Sequence, residues 1–232
     1  VSYFWSALFL GRIDVEEPPG ADRERGGLLV GARWIRDNAI IRAELLGVAT
    51  LNLFNFMFFA LFVLYATRNL DVRPAALGIL LGAASVGTLL GSFVTGRIGR
   101  RIGIGPAFII GCFLFPAPLI LVPAAGGPHW LVLALLFVAE FTSGIGLMLL
   151  DIMAGTIGAA SVPPPLRSRV SGAFLVVNNG VRPVGTAIGG LLGSTIGVRP
   201  TLWIATVGAL LGLAFLLPSP IPQLKELDEQ PA

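Results

Sequence analysis

Six apolar runs, near residues 43–67, 74–96, 103–125, 130–152, 171–196 and 200–218, limit the folds open to this chain. Each is roughly 19 to 26 residues, enough as a helix to cross a hydrocarbon core of about 30 Å with some tilt. The joins between them are short: RNLDVR, GRRIG, GGPH, SVPPPLRSR and VRP. In lipid every backbone N–H and C=O needs an internal partner, and between such joins helices are the simplest way to supply one. The expected fold class is therefore an all-α membrane protein, a six-transmembrane-helix bundle. Composition agrees: 55% of residues are hydrophobic and 12% charged, against about 25% charged in soluble domains.

Charge sets the expected orientation. Of sixteen Lys and Arg, twelve fall on the side of the GRRIG and SVPPPLRSR joins, three (Arg68, Arg73, Arg199) on the other, and Arg182 lies inside a run. The positive-inside rule then makes this a multi-pass protein of the cell membrane with both termini cytoplasmic. The net charge of +3 does not point to nucleic acid, because the basic residues are scattered over joins with no basic face or stacking platform. Cys112 and His129 are each the only residue of their kind, which leaves no intrachain disulfide and no cysteine or histidine metal cluster. No cofactor is expected.

The ends divide into smaller pieces. Residues 1–13 (VSYFWSALFLGRI and neighbours) are too short for a full span and are read as the tail of a preceding transmembrane helix. Residues 14–42 form a charged cytoplasmic linker whose second part, LLVGARWIRDNAIIR, suits either an amphipathic helix in the headgroup region or a solvated connector. The six-helix domain occupies 43–218, and 219–232 is a Pro-rich polar tail expected to be disordered and cytoplasmic.

The fifth run carries Asn178, Asn179, Arg182 and Pro183 near its middle. An arginine at that depth costs about 3 kcal/mol on insertion scales and needs a partner or a watery cavity. Glu140, in the fourth run, sits at a similar distance from the ends of its own segment, so the two are expected to pair or to face one cavity. Asn52 and Asn55 in the first run share a face at i, i+3. These residues, Asn52, Asn55, Glu140, Asn178, Asn179 and Arg182, are the candidate substrate and proton pathway. A static polar clasp between helices is the alternative reading of the same belt. Asp151 is expected as an interfacial residue or a partner of Arg167 or Arg169. Gly185, Gly189, Gly193 and Gly197 recur every fourth residue and make a side-chain-free stripe for close helix packing.

The join GSFVTGRIGRRIG offers a helix end, a tight turn at Gly99, and Arg97, Arg100 and Arg101 to pair with carboxylates or with the C-terminal carbonyls of a neighbouring helix. With Arg167 and Arg169 these form a candidate cytoplasmic gating loop. The R-x-G-R-R pattern at this place resembles the loop signature of the major facilitator superfamily. Residues 163–203 are similar to the end of its siderophore, macrolide and multidrug exporter branch, on Pro163, Leu166, Arg167, Arg169, Val170, Gly180, Pro183, Gly185, Gly189, Gly190, Gly197, Arg199, Leu202 and Trp203. One position departs from the signature: Gly96 stands where the family's loop carries an acidic residue.

The resemblance covers the second half of a family member. It implies two three-helix repeats of inverted topology, rocking against a missing N-terminal six-helix half or a second copy. The first and fourth runs would line the cavity, and the second and fifth would lie between halves. The implied function is proton-coupled efflux of a small amphipathic compound by antiport; the alternative is an inactive transporter fragment or a membrane scaffold without transport. The expected partners are the lipid bilayer and a small-molecule substrate. An enzyme is not expected, since no H-E-x-x-H, G-x-S-x-G or phosphate-binding G-x-x-x-x-G-K-[ST] pattern occurs.

Overall fold

The computed structural model describes residues 27–224, and every regular element among them is helical. The tail of a preceding helix expected at 1–13, the first part of the linker and the end of the polar tail lie outside the described residues. The helices are α1 (Gly27–Asp37), α2 (Ala39–Arg68), α3 (Pro74–Ile102), α4 (Ile104–Leu114), α5 (Leu121–Ala124), α6 (His129–Ser161), α7 (Arg167–Thr195), α8 (Val198–Ala209) and α9 (Leu213–Leu216). A 3-10 turn at Ala117–Ile120 joins α4 to α5, and another at Leu210–Gly212 joins α8 to α9.

Five segments are long and apolar enough to cross a membrane: α2, α3, Ile104–Ala124, α6 and Val198–Leu216. The fifth of the six runs read from the sequence becomes α7. At 29 residues α7 is long enough, but its polar centre and small residues leave it less apolar than the other five.

Local signals explain the helix ends. Asn38 breaks α1 from α2 by capping the latter, its side chain accepting from the Ile41 N–H at 3.0 Å. α2 thus begins at Ala39, and Ile40–Arg42, read from sequence as linker, belong to its first turn. Pro74 opens α3 at a position where a missing N–H costs nothing. The turn after α3 is not at Gly99, which lies within the helix, but at Gly103, with φ 95°. Gly99 is instead buried against Met153, whose Cε would sit 3.1 Å from a Cβ there. Gly197 ends α7 with φ 94°, so the fourth member of the glycine stripe serves as a turn.

The main helix contacts are α3 on α6, α2 on α7, α4 on α6 and α2 on α8. Without a hydrophobic drive between helices in lipid, such pairs depend on close backbone approach at small residues. A Cβ at Gly87 would collide with the Phe141 carbonyl, one at Gly144 with the Ala84 carbonyl, and one at Gly185 with the Leu53 carbonyl. Gly189 would meet the Met57 carbonyl at 2.8 Å and Gly193 the Leu61 side chain at 2.9 Å. The stripe read from the sequence on α7 is therefore the seam with α2. Two apolar clusters fill the bundle: one around Ile41, Phe108, Cys112, Leu149 and Ile221, the other around Phe58, Phe62, Tyr65, Leu136 and Leu202.

α1 packs on α7. Ile35 is buried in the first cluster with Trp34 beside it, and Gly31 rides against the Arg169 carbonyl. The apolar side of the amphipathic helix is thus turned to protein, where the sequence reading offered the headgroup region or solvent.

Candidate functional site

A cavity of about 590 Å³ opens between α2, α6 and α7, at the end of the bundle where α2 and α7 begin and α6 finishes. Its apolar wall includes Ile41, Val48, Leu150, Phe174 and Leu175. Its polar groups are Glu44, Asn52, Asp151, Arg167, Asn178, Asn179 and Arg182, with Ser171.

Geometry orders these groups. Asn52 Nδ2 donates to Asn178 Oδ1 at 3.0 Å, tying α2 to α7 at the cavity wall. One turn further along α7, the Arg182 guanidinium lies over the Phe56 ring, 5.0 Å from its centroid. Arg182 on α7 and Asp151 on α6 both line the cavity. Pro183 follows immediately inside the helix. Lacking an N–H, it leaves the Asn179 carbonyl without its regular helical donor. Asn179 and Pro183 lie on the helix that lines the cavity at Asn178 and Arg182.

Arg167 closes the rim. Its guanidinium donates to the carbonyls of Ala159 at 2.8 Å and Val162 at 3.2 Å, capping the exposed end of α6. That is the carbonyl-capping role expected of the GRRIG arginines, performed by a different residue. Arg97 instead donates to the Phe93 carbonyl of its own helix at 3.1 Å, and Arg100 and Arg101 are exposed.

Four of the six expected pathway residues come together here: Asn52, Asn178, Asn179 and Arg182. Two do not. Asn55 is 5% exposed and does not line the cavity, with Oδ1 lacking a hydrogen-bond partner. Its offset from Asn52 is about 60° around the helix, enough to leave that wall. Glu140 is 3% exposed, its Oε1 unpartnered, and it forms no ion pair with Arg182. Among the described residues the ion pair within 4.0 Å is Arg36–Asp37, on the surface. The expected equality of depth fails because α6 continues to Ser161, well beyond 152. That extension shifts the helix midpoint past Glu140 and brings Asp151 to the cavity.

Sequence reasoning missed Glu44 and undervalued Asp151. Glu44 is 4% exposed, lines the cavity, and has an unpartnered Oε2. A signal was present: Ile41, Glu44, Val48 and Asn52 fall at helical spacings of one face. It was hidden because Arg42 and Glu44 sit at the apparent edge of an apolar run.

Long apolar helices closing around a polar cavity define a multi-pass membrane protein. The chain belongs to the Major Facilitator Superfamily, whose profile matches residues 45–232. Members of that family are transporters, and membrane transport is the general function the match supports. No curated protein matches the chain.

Proposed function

We propose that this chain forms the C-terminal six-helix half of a carrier of the exporter branch, performing proton-coupled efflux of a small amphipathic compound. The observation that carries this reading is the cavity itself, apolar on most of its wall and polar at Asn52–Asn178 and Asp151–Arg182. A compound with both characters finds complementary surfaces there, which neither a sealed core nor a lipid-facing groove would supply. The twelve-to-three count of Lys and Arg supports a mouth on the cytoplasmic side, where an exporter loads.

Two inverted three-helix repeats are supported by matched contacts. Gly91 meets Ile145 as Gly185 meets Leu53, and Gly99 meets Met153 as Gly193 meets Leu61. Gly103 and Gly197 share one conformation, φ 95° and ψ 161° against φ 94° and ψ 160°, each followed by a proline three residues on. These correspondences keep a constant offset along the chain within each helix pair, pairing α3 on α6 with α7 on α2. The same register sets Gly144 and Ala84 opposite Asn52 and Asn178. A backbone-tight contact on one pair is a side-chain hydrogen bond on the other. The wider pair borders the cavity, an asymmetry of the kind that alternating access exchanges between repeats.

The exposed apolar faces of α3 (Ile79, Val86, Leu89, Phe93) and α7 (Leu175, Val176, Leu191) would meet lipid and an N-terminal six-helix half or a second copy. α7 thus borders the cavity as well as the interface. Asp151 in the cavity and Glu140, buried about three turns away on the same helix, are the carboxylates for the proton.

The test is uptake of an amphipathic dye by inverted membrane vesicles carrying the protein. An acid-inside gradient should drive accumulation, and Arg182→Ala should abolish it at equal expression. Loss of gradient dependence in Asp151→Asn or Glu140→Gln identifies the proton carrier. Uptake indifferent to the gradient in the unaltered protein overturns the coupling.

A further inference from the structure

The cavity's charged groups do not all find partners. Arg167 is committed to two backbone carbonyls at the end of α6. Arg182 lies over the Phe56 ring. Glu44 is left over: nearly enclosed, lining the cavity on α2, with Oε2 lacking any hydrogen-bond partner. A carboxylate taken out of water without a partner is among the most expensive groups a protein can hold. Structure of this kind is stabilised when a ligand brings the missing donor.

We propose that Glu44 is the anchor for a protonated amine, and that the compounds bound in this cavity are amphipathic organic cations. The assignment rests on the reading of the cavity as a ligand site and names the ligand's charge. The surroundings fit that class. Ile41, Val48, Phe174 and Leu175 offer an apolar bed beside the carboxylate. Asn52 lies two turns further along the same face of α2, about 12 Å of helix rise from Glu44, and with Asn178 offers amide oxygens and N–H groups to the ligand's polar body. An ammonium set against a buried carboxylate makes a charge-assisted hydrogen bond, stronger than any neutral pair in the cavity. An anionic compound would instead meet Glu44 and Asp151 together and be disfavoured.

The experiment measures equilibrium binding to the purified full chain in detergent, using a naphthylmethyl-ammonium probe and its uncharged alcohol counterpart. The ammonium should bind the unaltered protein about tenfold or more tighter than the alcohol. Glu44→Gln should erase that preference and leave alcohol binding unchanged, while Glu44→Asp should restore part of it. Equal binding of the two probes to the unaltered protein overturns the proposal. So does a Glu44→Gln variant, folded by its size-exclusion profile and helical circular dichroism, that keeps the preference. If Glu44→Gln does not fold, Glu44→Asp decides: with its shorter carboxylate it should bind the ammonium more weakly and the alcohol as before, and unaltered ammonium affinity overturns the proposal. Amine-selective binding without gradient-driven uptake would sink the transport reading alone. Gradient-driven uptake without charge preference would sink this one alone.

Discussion

At the scale of single residues, glycine decides where helices may touch, and two neighbours on α7 show how differently it acts. A Cβ at Gly185 would strike the Leu53 carbonyl, whereas one at Gly180 meets nothing within 4 Å. Gly185→Ala should therefore destabilise the detergent-solubilised protein by about 1–3 kcal/mol, the usual cost of overpacking. Gly180→Ala should be neutral or stabilising by up to about 1 kcal/mol, since alanine is the better helix former. Thermal unfolding of the two variants side by side checks this, and equal midpoints would refute the seam between α2 and α7. The charged residues divide by how much context they need. Arg182 stands out in the bare sequence because a guanidinium inside an apolar run is anomalous whatever surrounds it. Glu44 does not, because its burial depends on α2 beginning at Ala39, ahead of the apolar run, and on which neighbours then enclose it.

Among the elements, α7 is the least apolar membrane-length helix and has an interior proline. In a soluble helix such a proline costs about 3 kcal/mol or more, and in membranes neighbouring groups recover part of the loss. Pro183→Ala restores an N–H donor for the Asn179 carbonyl. It should raise stability by at most about 3 kcal/mol and slow dye uptake in inverted vesicles, because a carbonyl released on a cavity-lining helix regains its helical donor. Unchanged uptake at raised stability would show that the carbonyl plays no part. Helix identity and order along the chain were legible from run length and join chemistry. Ends were less so: α6 runs on to Ser161 through AGTIGAAS, small residues that are neither apolar enough to extend a run nor strong enough to stop a helix.

For the whole molecule, orientation is the property that charge counting alone supports, and it has a direct test. Arg68, at the end of α2, and Arg100, near the end of α3, lie at opposite ends of the bundle and are both exposed. The one native thiol, Cys112, is buried, so background labelling is low. A membrane-impermeant maleimide should label Arg68→Cys in intact cells and Arg100→Cys only after permeabilisation. The reverse pattern would invert the protein and move the cavity mouth to the outside.

Periodicity, run length and arginine placement are local quantities. They were enough for an all-helical membrane protein, for the glycine seam of α7 and for the polar centre around Asn178, Asn179 and Arg182. Which groups share a cavity is not local. It depends on helix rotation and on relative depth, and an error of a few residues at a helix end moves a side chain by a full turn. That is why Glu140 left the site, Asp151 and Glu44 entered it, and the arginine expected to find a glutamate lies over Phe56 instead. Spacing along a chain measures position on one helix, and only packing decides which faces of several helices enclose the same space.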